Sequence, residues 1–141
     1  MRRLPPRKRK WQMTEIKYRD SAARFAVSFC GHAGYAECGK DIVCAGISVL
    51  ASELMLACEQ AQCSGEITDY RCAEGSGYVK LSFSYGEGSF MRRTVRLILA
   101  CLRLLEKEYG SYLRVVAQSP IQSQSQSRYN EGENQKERMA L

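Results

Sequence analysis

The sequence predicts an α+β fold: a mostly antiparallel sheet of four to five strands with two long helices packed on it. Three observations predict this fold. Apolar residues alternate with polar ones in two pairs of short segments, they recur every three or four residues in two longer segments, and glycine-containing turns separate these segments. Hairpins that alternate with helices are typical of helices covering one face of a sheet. The expected order is ββαββα, and a further strand at the end is the alternative.

The period of two occurs in two predicted hairpins. The first joins residues 15–18 to the segment 24–30, in which one face carries Phe25, Val27 and Phe29. The second joins residues 66–72 to residues 78–84 through a turn at Glu74-Gly75-Ser76-Gly77, and its second strand points three apolar residues one way: Val79, Leu81 and Phe83. Residues 112–116 could form a last strand.

The helical period occurs in two longer segments. The first runs from Ile42 to about Gln62 and ends at Ser64-Gly65, with an apolar stripe of Ile47, Leu50, Leu54, Ala57 and Ala61. The second runs from Phe90 to Tyr109 and is stopped by Gly110. Its apolar stripe is Val95, Ile98, Leu102, Leu105 and Tyr109, and its outward-facing cations are Arg92, Arg93, Arg96 and Arg103.

Composition divides the 141 residues into a domain, 14–118, a basic arm, 1–13, and a polar tail, 119–141, of which the arm and the tail are expected to be disordered. The net charge of +6 equals the six cations of the arm between residues 2 and 10, so the remaining charges balance. A basic surface on the domain is therefore not expected. The arm has two interpretations: a weak nucleic-acid contact through residues 2–10, or an artefact of start-codon choice, with translation starting at Met13, which we favour.

Several classes of protein are disfavoured. No apolar run of about 18–20 residues is evident, and no apolar signal core follows the basic arm, so we expect a cytoplasmic protein without a membrane contact. The seven cysteines include no CxxC pair, which argues against a disulfide framework and a zinc ribbon. We expect no cofactor and no metal.

The segment 31–48 contains the residues best suited to chemistry. His32 is the only histidine, and Cys44 follows twelve positions later in the first turn of the first helix. A helix start favours an anionic thiolate and offers backbone N–H groups to an oxyanion. Asp41 could orient the histidine or cap the helix. Ser48, on the same helix side as Cys44, could hydrogen-bond within the site or only to the backbone.

The same segment resembles the signature of the ribosomal-processing cysteine protease Prp family. The resemblance lies in the run Gly-His-Ala-Gly-Tyr-Ala-Glu at 31–37, in Gly-Lys-Asp-Ile-Val-Cys-Ala at 39–45 and in Ser48. It implies a homodimeric protease that removes the N-terminal extension of a large-subunit ribosomal protein. Cys44 would be the nucleophile and His32 the general base, and Gly34 and Gly39 would let the intervening loop close over a peptide.

Parts of the sequence would also fit two other interpretations and one regulatory device. A non-enzymatic ribosome-associated module that binds protein or RNA would suit the fold and the arm, but the balanced charge of the domain argues against RNA binding. A metal site of His32, Cys38 and Cys44 lacks a fourth ligand and a recognised spacing. Cys38 could instead form a reversible disulfide with Cys44 that switches an enzyme off, although such cytosolic disulfides are rare.

Overall fold

Seven elements make up the chain in the computed structural model, which describes residues 13–32 and 41–118. The elements are β1 (Thr14–Asp20), β2 (Arg24–Cys30), α1 (Ile42–Ser64), β3 (Ile67–Gly75), β4 (Tyr78–Tyr85), α2 (Met91–Tyr109) and β5 (Leu113–Ala117). The α+β prediction is therefore confirmed, and the possible final strand is present.

The five strands form one sheet in the order β3-β4-β2-β1-β5. β1 and β5 are parallel, whereas the other neighbouring strands are antiparallel. The parallel pair arises because the chain crosses the sheet through α2 before β5 joins the free edge of β1. A parallel pair needs such a long crossover, which a local sequence pattern cannot reveal.

One face of the sheet is apolar and forms the core with the two helices. In the register of the strands, Ile16 lies opposite Phe29, and Phe25 lies opposite Phe83. All four side chains are at most 4% exposed. Burial of such a side chain contributes about 1.5–3 kcal/mol, so this face holds the helices in place. The other face is polar, as the alternation requires.

α1 packs on the sheet through a stripe that is shifted by one residue from the predicted stripe at two places and begins one turn earlier. The buried residues of the helix are Val43, Ile47, Ala51, Leu54, Cys58 and Ala61. The predicted members Leu50 and Ala57 are only partly buried at the border of the core. The helix ends at Gly65, as predicted, because this residue takes a left-handed conformation with φ +79°.

α2 covers the core beside α1 and differs from its prediction at two points. Its buried residues are Met91, Val95, Ile98, Leu99 and Leu102, while Leu105 and Tyr109 are partly buried. Arg92, predicted to face outward, instead donates hydrogen bonds to the β1–β2 turn. Gly46 of α1 lies where an added Cβ would be 3.5 Å from Leu105 Cδ1, so the two helices approach closely there.

The length of α1 corrects the expectation that the chain has no apolar segment long enough to span a membrane. Over the described residues, Ile42–Ser64 is the one helix long and apolar enough to cross a membrane by length and composition alone. The core helix of a globular domain meets the same criteria, and one side of α1 packs in the core.

Several expectations lie outside the described residues. They concern residues 1–12 of the arm, the tail from residue 119 onward, and the loop residues Gly34, Cys38 and Gly39.

Candidate active site

A cavity of about 280 Å³ lies where three parts of the fold meet. The strands β1 and β2 contribute Thr14 and Phe29, and the two residues after β2 contribute Gly31 and His32. Helix α1 contributes Cys44, Ile47, Ser48, Ala51, Ser52 and Met55. The β3–β4 hairpin contributes Glu74, Gly75, Gly77, Tyr78 and Val79. The structure thus brings three predicted site residues, His32, Cys44 and Ser48, to one cavity.

Asp41 positions Cys44 through the backbone of the helix. Its Oδ1 atom accepts a hydrogen bond of 2.8 Å from the N–H of Cys44, and its carbonyl accepts one of 3.0 Å from the N–H of Ala45. These are the bonds of a helix N-cap, so the capping alternative is observed. Asp41 is not among the residues that line the cavity. The alternative that it also orients His32 stays a hypothesis.

The same bond limits where an oxyanion could bind. The N–H of Cys44 is already engaged by Asp41. The N–H groups of Ile42 and Val43, two positions and one position earlier, have no acceptor within the helix because they lie in its first turn. These two groups are the backbone donors that remain at the start of α1 for developing negative charge, although neither residue is among those that line the cavity.

The backbone at Gly31 carries His32 toward the β3–β4 turn. Gly31 has φ +97°, and its N–H donates a 2.8 Å hydrogen bond to the carbonyl of Gly77. A Cβ atom at Gly31 would lie 2.5 Å from the carbonyl oxygen of Met13. Only glycine fits such a conformation and such a close approach. The strand β2 therefore ends in a bend that directs the next residue, His32, across the sheet end.

Gly77 forms the surface on which the imidazole rests. It has φ +76° in the two-residue turn Ser76-Gly77, and a Cβ atom there would lie 2.9 Å from Nε2 of His32. The sequence showed this glycine only as a turn residue, because the contact joins segments 45 positions apart. A glycine that supports a candidate base across a sheet cannot be found from local pattern.

The walls of the cavity combine apolar and polar side chains. Ile47, Ala51 and Met55 recur along α1, and with Phe29 and Val79 they make the apolar wall. The polar lining beyond the predicted residues includes Ser52 and Glu74, which the sequence pattern did not indicate. The spacing of four residues from Cys44 through Ser48 to Ser52 was the available signal for Ser52.

The metal hypothesis receives no support from the part of the chain that is described. There, no group of three His, Cys, Asp or Glu side chains could hold an ion. Cys38, one of the three suggested ligands, lies outside these residues, so the three-ligand set itself is not tested.

A cysteine peptidase needs a thiol and an imidazole beside a cleft that admits a peptide side chain. The cavity has these features, with the thiol at the start of a helix. A family model named Cysteine protease Prp matches residues 13–114 of the chain. The chain therefore belongs to the cysteine protease Prp family, as its sequence signature predicted, and the prediction of an enzyme of the cysteine protease class is confirmed.

Solved structures show that the fold is shared with other proteins. The essential ribosomal processing protease Prp of S. aureus, in complex with a covalently linked product peptide, is 21% identical with a TM-score of 0.58; the similarity covers 75% of this chain and 100% of that one. The same protease with a substrate peptide gives 20% identity, a TM-score of 0.52 and the same coverage. SMU.848 from Streptococcus mutans gives 20% identity, a TM-score of 0.51, and coverage of 75% and 96%. No curated protein matches the chain.

Proposed function

We propose that the chain is an endopeptidase that removes the N-terminal extension of a large-subunit ribosomal protein during ribosome maturation. The observation that carries the proposal is the placement of Cys44 and His32 on one cavity in a chain of the Prp family. The S. aureus relative is called a ribosomal processing protease and was solved with substrate and product peptides. Ribosomes mature in the cytoplasm, which is the location that this function requires.

The proposed reaction uses Cys44 and His32 as a dyad. His32 takes the proton of the Cys44 thiol, and the sulfur attacks the scissile carbonyl carbon. The tetrahedral oxyanion accepts hydrogen bonds from the first backbone N–H groups of α1. Collapse breaks the C–N bond, and His32 returns the proton to the leaving amine. Water then hydrolyses the thioester, which releases the N-terminal peptide and restores the thiol.

The cavity walls support a peptide substrate with an apolar side chain next to the scissile bond. Phe29, Ile47 and Met55 present apolar atoms beside Cys44. The cavity of about 280 Å³ is at the lower end of the volume range of small-ligand sites, so it suits one or two side chains rather than a folded segment. A flexible extension is the part of a ribosomal protein that can reach it.

The same proposal includes a homodimer. Apolar side chains are exposed on the helices, and Val49 and Leu97 are 66% and 64% exposed. Such side chains supply surface that a second copy would cover. Sedimentation of the full chain at micromolar concentration is expected to give the mass of two copies, and the mass of one copy would contradict this part.

The experiment that tests the cleavage combines the full chain with the extended ribosomal protein from the same genome. The new N-terminus is read by mass spectrometry. Cys44→Ala is expected to abolish cleavage while the far-UV spectrum and melting temperature stay near those of the unmodified chain. Cys63→Ala, which changes an exposed cysteine near the far end of the same helix, is the matched control and is expected to cleave normally. Cleavage by Cys44→Ala would refute the assignment.

A further inference from the structure

The face of the sheet that points away from the helices is basic, contrary to the expectation from the balanced charge of the domain. The strands place six cations on this face: Lys17, Arg19, Arg24, Arg71, Lys80 and Arg114. Two carboxylates accompany them on the described strands, Glu15 and Asp69. The sum of sequence charges could not reveal this separation, because the acids that balance it lie mostly on the helices and loops.

These cations surround a shallow concavity of about 500 Å³. Its floor consists of small side chains near the centre of the sheet: Ala26, Ser28, Ala73 and Ser82. Its rim carries Lys17, Arg19, Arg71 and Lys80. Small residues with a cationic rim let a charged backbone approach the floor while the longer side chains reach around it. We call this concavity and its rim the open sheet face.

The cations of the open sheet face are only weakly neutralised. Lys17 pairs with Glu15 at 3.3 Å, and Asp69 pairs with Arg24 at 3.0 Å and with Arg71 at 3.3 Å, in each case through exposed groups. Exposed ion pairs contribute little free energy and exchange readily for other partners. Nε of Arg19 is the one buried side-chain nitrogen or oxygen in the described part of the chain that has no hydrogen-bond partner. An unsatisfied guanidinium nitrogen is costly unless an acceptor reaches it.

The charge and shape of the face favour one occupant over the others. A second copy would bring like charges together, which is unfavourable across an interface. Single-stranded nucleic acid is normally held by aromatic side chains that stack on its bases, and the floor of the concavity has none. Duplex RNA is recognised largely through phosphate and 2′-hydroxyl groups. Phosphate and 2′-hydroxyl groups accept hydrogen bonds from arginine, lysine and serine side chains.

We propose that the open sheet face binds the sugar-phosphate backbone of double-stranded RNA. Arg19 and Arg71 lie on strands separated by β4 and β2, about 14 Å apart at a strand spacing near 4.8 Å, so the two edges of the rim can contact different phosphates. This face is on the opposite side of the sheet from both helices, including α1, which bears Cys44. The RNA binding does not depend on the proposed function, whereas its physiological ligand being ribosomal RNA rests on that function.

The test measures binding of the full chain to a fluorescein-labelled RNA hairpin of about 16 base pairs by anisotropy. The double variant Arg19→Gln/Lys80→Gln removes two charges from the open sheet face. The double variant Arg93→Gln/Lys107→Gln, which removes two exposed charges from α2, is the matched control. The basic arm is present in every sample, so its contribution cancels in the comparison.

We expect the first variant to bind about tenfold more weakly at moderate salt, with a slope of log K against log salt that is smaller by about 1.5. The control should retain the affinity and slope of the unmodified chain. Arg19→Lys/Lys80→Arg, which keeps both charges, should also bind normally, which separates loss of charge from loss of fold. Single-stranded RNA of the same length should bind more weakly than the hairpin.

Equal losses in the two charge-removing variants would overturn the proposal, because they would indicate unspecific charge attraction. Unchanged RNA binding together with an altered sedimentation mass in the first variant would also overturn it and would assign the face to a contact between copies. Cleavage of the extended ribosomal protein, free of RNA, is measured on the same samples and is expected to be unchanged. A failed RNA test and a failed cleavage test are therefore distinguishable.

Discussion

The two ends of the sheet are held by opposite means. At the β1–β2 turn, Asp20 accepts hydrogen bonds from Tyr85 Oη at 2.9 Å and Arg92 Nη1 at 3.2 Å. Arg92 also donates to the carbonyls of Ser21 and Ala22, and its guanidinium lies 4.1 Å from the centre of the Tyr85 ring. Burial, and then the bond to Asp20, raises the pKa of Tyr85, so the phenol remains a donor. Side chains bonded to one another fix this end.

At the other end of the sheet, two glycines allow the end of β2 to contact the β3–β4 turn, because they have no side chains. Gly31 and Gly77 bring two backbone segments within hydrogen-bond distance, and His32 rests on the space that a Cβ at Gly77 would take. The hydrogen-bonded side chains at the β1–β2 turn stabilise the fold, but because they are bonded to one another they offer no group to a substrate. The glycine contact leaves the imidazole beside a cavity, which is where a reacting peptide can meet it.

The largest effect is expected from filling the space beneath the imidazole. Gly77→Ala places a methyl group 2.9 Å from His32 Nε2 and should lower kcat/KM for the extended protein about 100-fold, since a displacement of about 1 Å can cost this much. Gly88→Ala is the matched control because Gly88 has φ +68° and no heavy atom within 4 Å of an added Cβ. Both variants bear the strain of a positive φ, so equal activities would show that the contact with His32 is unimportant.

The network at the opposite end should govern stability and leave cleavage intact. Arg92→Ala removes three hydrogen bonds and the contact with Tyr85. The free energy of unfolding in urea should fall by about 2 kcal/mol, because Asp20 loses a charged partner in a partly buried site. Arg93→Ala, on the adjacent exposed position, should change it by less than about 0.5 kcal/mol. If kcat/KM falls with Arg92→Ala under conditions where the chain is folded, this end of the sheet also affects cleavage, which would contradict the prediction.

The smallest effect separates the two interpretations of Asp41. Asp41→Ala removes the bond to the N–H of Cys44 and should lower the free energy of unfolding by about 1 kcal/mol. Asp41→Asn keeps a side-chain acceptor and should keep both the stability and most of the activity. Stability that is retained in Asp41→Asn while kcat falls steeply would instead favour a role for the carboxylate in orienting His32.

The parts of the fold that follow from local periods could be predicted from the sequence. Alternating apolar residues predict the strand pairs, and apolar residues at every third or fourth position predict both helices. One glycine, Gly65, predicts the end of α1. The partner of β5, the contact of Arg92 with the β1–β2 turn and the basic open sheet face could not be predicted. Each depends on which distant segments become neighbours, and neither period nor net charge contains that information.

The candidate site divides in the same way. The positions of His32, Cys44 and Ser48 on one cavity were predicted from a signature within 18 consecutive residues. Gly77, Glu74 and Met55 were missed, because the first two come from a distant hairpin and Met55 lies outside the apolar stripe that was predicted for α1. A sequence motif therefore identified the groups suited to chemistry but not the surfaces that position them.

The central claim is that His32 acts on the thiol of Cys44, and its most direct measurement is the rate of iodoacetamide alkylation at Cys44 near neutral pH. Peptide mass spectrometry compares the unmodified chain with His32→Gln. Cys63, which is exposed, should react equally in both proteins. Cys58, whose pKa is raised to about 12 chiefly by burial, should stay unmodified in both. We predict that alkylation of Cys44 slows about tenfold or more in His32→Gln; an unchanged rate at Cys44 would contradict the dyad.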